Sequence, residues 1–466
     1  VKQLSSKRIT ISFGMLALAL ATVLAFAPAQ AYANVQKSDV IAGETVANRN
    51  LSAAQCPSVE ASSVLLMDSD GNVLFERNAD EHVNIASITK VMTAVTAVEY
   101  ASLDTEITVS STAAAIGESS AGLQAGDTLT LQEALKAMLW PSGNDAAQSI
   151  AECVGAQILK EQGNASPTST ESVEAFVQAM NDTSAKLGMT NSLWANPHGL
   201  DDGVYASQEM YSTARDVATL ANYAMKIDAI RSITSQDGGT VTVIRDGATT
   251  GVELESTDEL FGVVEGVLGV KTGFTDAAGE CFAGAVEQNG TRLISAVLNS
   301  TSSSMRFTDT RTLWEWAYEN MIDYAAAQTT QTTVNANGAT VPLVAEVADA
   351  AWTDKTVPAT LENPNQTFRV FALAGNVSQE VTYYDINGSV KAGDVVGKIT
   401  YYQQNEVIGT ANLVATQDVA APNPLEALGI WWSRLIGGFS GDDGVADSVC
   451  YNEVELIYDK SSLSAA

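Results

Sequence analysis

The sequence predicts an α+β domain followed by a small all-β domain. Three observations predict it. Short β-rich runs lie early, at 63–67, and late, at 269–298, with apolar helical patterns between them. That order suits a sheet whose first and last strands come from distant parts of the chain, with helices from the middle. Beyond residue 333 the helical periodicity gives way to short strands punctuated by turn residues. The 466 residues exceed one ordinary domain, and 46% apolar with 17% charged residues fits folded cores rather than disorder.

The first element reads as an export signal. Lys2, Lys7 and Arg8 precede an almost unbroken apolar run over 9–26, and Ala31-Tyr32-Ala33 supplies a small-x-small cleavage site. We expect a signal peptide over 1–33, a mature chain from about Asn34, and action outside the cytoplasm. An uncleaved anchor helix is the alternative.

Residues 63–67 and 73–75 flank the Asp70-Gly71 turn as a hairpin. In the helix expected over 85–100, Ile88, Val91, Met92, Val95 and Val98 leave little polar face, which places it in the interior. Thr130 and Glu133 form a capping box opening a helix that ends at Trp140, where Pro141 stops it. The next helix covers 145–158. A strand at 269–274 precedes a hairpin of 281–286 and 293–298 about Asn289-Gly290, then a helix over 308–321. A polar linker, 325–333, separates the larger domain, 34–325, from the β-domain, 334–420. Its strands are expected at 340–344, 367–373, 380–384, 395–402 and 406–413. A helix over 424–440 aligns Leu425, Leu428, Trp432, Leu435, Ile436 and Phe439. At about fifteen residues it is too short to span a bilayer. It reads either as an interfacial anchor or as a helix packed on the β-domain. An acidic tail, 441–466, follows.

A net charge of −31 argues against nucleic-acid binding. Cys56, Cys153, Cys281 and Cys450 lack Cys-x-x-Cys spacing; bridges and free buried thiols both remain open. His82 and His198 are the only histidines, apart and without a Glu at zincin spacing. A zinc peptidase and a Ser-His-Asp triad are therefore disfavoured, and neither metal nor cofactor is implied.

The chemistry lies in three short motifs: Ser87-Ile88-Thr89-Lys90, Ser142-Gly143-Asn144 and Lys271-Thr272-Gly273. Ser87 and Lys90 share one face of a buried helix. A serine hydroxyl is a weak nucleophile until a base takes its proton, and a buried lysine beside another cation is neutral enough to do so. Ser142 can relay a proton to a leaving amine, and Asn144 can orient a substrate amide and hold Lys90. Lys271 supplies the second cation and attracts a carboxylate; Thr272 can hydrogen-bond that carboxylate; Gly273 lets substrate backbone approach. Taken singly, these motifs have plainer readings: a helix cap with a solvated lysine, a turn and an edge strand.

Together, and with Pro141-Ser142-Gly143-Asn144-Asp145, Asn196-Pro197-His198-Gly199-Leu200 and Ser212-Thr213-Ala214-Arg215-Asp216, they resemble the low-molecular-mass penicillin-binding proteins that are serine-type D-alanyl-D-alanine carboxypeptidases. The resemblance covers roughly residues 50–325. It implies a penicillin-binding/β-lactamase-like transpeptidase domain, with an antiparallel sheet flanked by helices plus a helical subdomain. It also implies that Ser87 attacks the bond between two terminal D-alanines of a peptidoglycan stem peptide. Backbone N–H groups of Ser87 and Phe274 would hold the oxyanion, Arg306 would help bind the terminal carboxylate, and β-lactam antibiotics would acylate Ser87. An exposed helix-capping arginine is the other reading of Arg306. Two departures stand out. Phe274 follows Lys-Thr-Gly where some members carry a polar residue, and Trp140-Pro141 is expected to make the site rim bulky. A D,D-endopeptidase shares the same residues. A β-lactamase is disfavoured by Ser-Gly-Asn and by the extra β-domain, and a catalytically silent wall-binding scaffold by the intact motif set.

Overall fold

A computed structural model of the chain describes residues 34–437 and 444–457. The expected signal peptide over 1–33 lies outside the described residues. The chain divides after Trp316 into two compact units.

The first unit is built on a seven-stranded sheet. Its strands are β1 (Val40–Ile41), β2 (Glu44–Thr45), β3 (Ser63–Asp68), β4 (Val73–Arg77), β9 (Val267–Thr275), β10 (Gly279–Gln288) and β11 (Thr291–Ser300), in the order β2-β1-β4-β3-β11-β10-β9. Every contact within it is antiparallel. The early and late strands meet where β3 pairs with β11, Leu65 opposite Ala296. β9 is left at the edge. The hairpins follow from local chemistry. Asp68 Oδ1 accepts from the N–H groups of Asp70 and Asn72, both at 2.9 Å, and so forms the β3–β4 turn. Asn289 and Gly290, at φ 50° and 76°, make the β10–β11 turn. A second sheet, β5 (Glu106–Thr108), β6 (Thr128–Thr130), β7 (Gly238–Arg245) and β8 (Ala248–Glu255), was not read from the sequence.

Helix α1 (Thr89–Tyr100) is buried continuously from Thr89 to Ala97, as its apolar circumference requires. Ile88, Met92 and Val95 are fully covered, each stabilising the unit by roughly 1.5–3 kcal/mol. Around α1 lie α2 (Leu131–Leu139), α3 (Asn144–Glu161), α4 (Ser169–Lys186) and α5 (Ala214–Ala224), while α6 (Asp228–Thr234) packs on α2 and β9. Thr130 caps α2 by accepting from Glu133 N–H. The expected reciprocal bond is replaced, because Glu133 pairs with Lys136 at 2.6 Å and accepts from Thr242 N–H. Helix α7 (Ser303–Glu319) starts five residues earlier than its apolar face suggested. All four cysteines are free thiols.

The second unit is mostly β. Its strands are β12 (Met321–Ala325), β13 (Thr332–Val334), β14 (Thr340–Pro342), β15 (Ala345–Ala348), β16 (Thr356–Leu361), β17 (Thr367–Phe371), β18 (Val377–Tyr383), β19 (Val395–Gln403), β20 (Glu406–Ala415) and β21 (Val449–Cys450). Six of them form one sheet, β18-β19-β20-β16-β15-β21. Strand structure begins at Met321, so the polar stretch 325–333 starts and ends in strands. The presumed acidic tail is corrected in part: β21 pairs with β15, and Asn452 is buried, donating to Ala326 O at 3.0 Å. Helix α8 (Pro424–Gly437) leaves Leu425, Leu428, Trp431, Trp432 and Ile436 exposed rather than packed. No helix among the described residues is long and apolar enough to cross a membrane.

Candidate active site

Ser87 lies in a 3-10 turn, Ala86–Ile88, ahead of α1 rather than within it. Ala86 there has φ 49°. Two glycines make room for this turn. A Cβ on Gly273 of β9 would lie 2.7 Å from Ile85 O and 3.2 Å from Ser87 N; one on Gly199, at φ +89°, would lie 2.0 Å from Ala86 O. Neither place admits a side chain. The missing Cβ of Gly273 thus makes room for the protein's own nucleophile turn.

Lys90 Nζ donates to Ser87 Oγ at 2.7 Å and to His198 O at 2.8 Å. Burial pushes its ammonium well below the ordinary lysine range; Lys271 adds to this and Asp145 opposes it. Asn144 does not hold Lys90. Its Nδ2 donates to Gly117 O at 3.0 Å, and its buried Oδ1 has no partner among the described residues. His198 supplies a carbonyl rather than its ring. Burial, then Lys90, holds the imidazole down to about 3, so it is neutral.

Ser142 comes from the connection between α2 and α3, at φ 67°. Its Oγ is buried without a partner among the described residues. The next turn is pinned by buried Asp145, which accepts from Ser120 Oγ at 2.7 Å and from the N–H groups of Ala121 and Leu123. That anchors the chain beside Asn144.

On β9, buried Lys271 donates to Thr272 O at 3.0 Å and Thr272 Oγ1 at 3.3 Å. Burial, then Arg306, lowers its ammonium to about 7, and Asp258 opposes. Thr272 Oγ1 lies 2.5 Å from Thr257 Oγ1. Arg306, in the first turn of α7, is 9% exposed and so is not a surface cap. Its Nη1 donates to Glu280 at 2.6 Å and to Gly273 O at 3.2 Å. Its Nε is buried without a partner among the described residues.

One cavity of about 470 Å³ gathers Ser87, Ser142, Asn144, Thr272, Phe274 and Arg306 at its lining. Lys90 and Lys271 are buried and reach it through Ser87 and Thr272. Phe274 is 57% exposed there. Trp140, expected on the rim, is buried instead, its Nε1 donating to Ile233 O at 2.9 Å. A hydroxyl beside a lysine whose charged form is disfavoured by burial, near a fixed cationic end, suits acyl transfer at a carbonyl close to a carboxylate. The structure brings together every site residue that the sequence singled out. The sequence reading missed the His198 carbonyl, Thr257, Glu280 and Asp258. The loop carrying His198 stood out as a motif; the other three carry no local signal.

The family model for D-alanyl-D-alanine carboxypeptidases matches residues 50–302, and that for the penicillin-binding protein 5 C-terminal domain matches 353–421. The carboxypeptidase DacF of Bacillus subtilis is 26% identical over 371 residues, covering 77% of this chain and 86% of that protein. DacC of Escherichia coli is 30% identical over 277 residues, covering 57% and 62%. A mutant of the Streptomyces K15 DD-transpeptidase superposes with a TM-score of 0.51 at 26% identity, over 57% of this chain and all of that one. The first match spans more than half of the 466 residues and contains the Ser87, Ser142 and Lys271 motifs, so the chain belongs to the D-alanyl-D-alanine carboxypeptidase family.

Proposed function

We propose that this protein removes the terminal D-Ala from peptidoglycan stem pentapeptides through an acyl-enzyme on Ser87. The 2.7 Å approach of buried Lys90 to Ser87 Oγ carries the reading. A neutral Lys90 still donates to the His198 carbonyl and turns its lone pair to the Ser87 hydroxyl. It takes the proton as Oγ attacks the carbonyl carbon. The backbone N–H groups of Ser87 and Phe274 receive the oxyanion. The proton passes through Ser142 Oγ to the departing nitrogen, and D-Ala leaves. Water, deprotonated by Lys90, then hydrolyses the ester. Lys271, Thr272 and Arg306 hold the terminal carboxylate, while Asn144 orients the amide before it. A β-lactam presents the same carbonyl and carboxylate and acylates Ser87.

The test is D-Ala release from an acyl-D-Ala-D-Ala peptide. We expect release by the parent protein and none by Ser87→Ala. A Ser87→Ala protein that still releases D-Ala would refute the assignment. The same reading puts the enzyme outside the cytoplasm, at the cell wall or the outer face of the cytoplasmic membrane. The exposed apolar face of α8 supports a membrane-surface contact. Sedimentation with lipid vesicles should be lost in Trp431→Ser/Trp432→Ser, and equal sedimentation of both proteins would exclude that contact.

A further inference from the structure

Arg306 is held on one side and left open on the other. It stands in the first turn of α7, lines the active-site cavity and is only 9% exposed. A guanidinium is a planar fork of N–H donors that can meet a carboxylate with two parallel hydrogen bonds, end-on through Nη1 and Nη2 or side-on through Nε and Nη2. Here Nη1 is already committed, donating to Glu280 at 2.6 Å and to Gly273 O at 3.2 Å. The Phe307 ring centre lies 4.9 Å from the guanidinium carbon and covers one face. Nε is buried without a partner, and Nη2 makes no hydrogen bond among the described residues. A buried N–H with no acceptor is unfavourable, and one in a cavity wall is completed by a ligand oxygen. The side-on edge is the one left for that oxygen.

Glu280 decides which edge that is. Its side chain is 18% exposed, yet it is not part of the cavity lining, so it meets Arg306 away from the space a substrate would fill. It comes from the start of β10, opposite Phe274 of β9. On its other flank the register with β11 slips between Glu280 and Phe282, and Asn299 of β11 stands there at φ 53°. A bulge at the end of a strand pair re-aims the side chains beside it. Glu280 and the Gly273 carbonyl, from neighbouring strands, thus claim one nitrogen and fix the roll of the fork. A carboxylate bound to Arg306 need not displace Glu280.

We propose that Glu280 is a positioning residue, which holds Nη1 so that the Nε–Nη2 edge of Arg306 receives the terminal carboxylate of the substrate. This rests on the carboxypeptidase reading above and adds to it the residue that aims the arginine. Glu280 touches neither the scissile carbonyl nor the carboxylate. Its loss therefore weakens selection for a terminal carboxylate and leaves the Ser87–Lys90 chemistry in place.

The experiment compares kcat/KM for two peptides, an acyl-D-Ala-D-Ala and the same peptide ending in a carboxamide. The ratio of the two within one preparation does not depend on the folded fraction. We expect the parent protein to favour the carboxylate by on the order of 100-fold. In Glu280→Ala that ratio should fall about tenfold, with the carboxamide peptide cleaved as before. Glu280→Gln keeps an acceptor at Nη1 and should stay within about threefold of the parent ratio. Glu280→Asp, which keeps the charge but withdraws the oxygen by one carbon, should also lower the ratio, and it stands in where Glu280→Ala does not fold. A parental ratio in both Glu280→Ala and Glu280→Asp would overturn this inference. So would an equal fall in Glu280→Gln and Glu280→Ala, which would assign the effect to charge, or a rise in Glu280→Ala, which would make Glu280 a competitor for Arg306. Equal rates on both peptides by the parent would overturn it and leave the carboxypeptidase reading standing. Release from neither peptide would overturn that reading, and this inference with it.

Discussion

Gly273→Ala is the sharpest probe of how the site is assembled. The added methyl would lie 2.7 Å from Ile85 O and 3.2 Å from the nitrogens of Ser87 and Ile88. All three neighbours are backbone, so no side chain can swing away. Restoring ordinary contact from 3.4 Å outward requires β9 and the nucleophile turn to separate by about 0.7 Å. β9 is an edge strand, held by pairing on one side only, so it is the element that moves. Its displacement carries Phe274 N–H away from the proposed oxyanion position and Thr272 away from the proposed carboxylate site. Misplacement of that size costs on the order of 10²-fold in rate. The assay is acylation of Ser87 by a fluorescent penicillin in single turnover, beside a thermal melt. We expect acylation about 30- to 100-fold slower with the fold retained. Acylation within threefold of the parent would refute the claim that Gly273 sets the approach of β9 to Ser87.

Three further outcomes follow from the same geometry. Lys271, lowered to about 7, must be charged to attract a carboxylate, so kcat/KM should fall as pH rises through about 7. Asp258 favours that charge, and Asp258→Asn should move this basic limb to lower pH; an unmoved limb in the pH–rate profile would exclude the coupling. Ser142→Ala should slow acylation by roughly 10²- to 10⁴-fold while leaving the unfolding midpoint near that of the parent, because the buried Oγ it removes has no partner among the described residues. Arg77→Met strands Asp39, which Arg77 meets at 2.7 Å with both side chains buried; denaturant unfolding should show a loss of about 3–5 kcal/mol.

What could be read in the chain was whatever repeats in residue type or spacing. α1 declared itself through Ile88, Val91, Met92 and Val95, and the β10–β11 hairpin through Asn289-Gly290. The β7–β8 hairpin had the same signal in Asp246-Gly247, at φ 52° and 76°, but only Val241 and Val243 of β7 are buried and no residue of β8 is, so little apolar patterning marks it. β12 was hidden because Met321 falls in step with Trp314 and Ala317 on the helical face, so the helix read on to 321. In the site, Ser87, Lys90, Ser142 and Lys271 were legible because their side-chain chemistry is particular. The group that holds Lys90 was not: a backbone carbonyl has no residue-type signature, and His198 drew notice for a ring that does no acid–base work. Asn144 was given to Lys90 from its place in the motif set, whereas its amide spans to Gly117, beside the loop pinned by Asp145.

The pairing of β3 with β11 also constrains how the protein folds. Leu65 waits for Ala296, so the sheet joins chain segments separated by nearly the whole unit. Closing so long a loop is entropically unfavourable until many contacts form together. The Ser87 turn is synthesised early but needs Gly199 and Gly273 to shape it. A chain that ends before β11 should therefore have no reactive serine, and catalytic competence should emerge in one late step rather than accumulate.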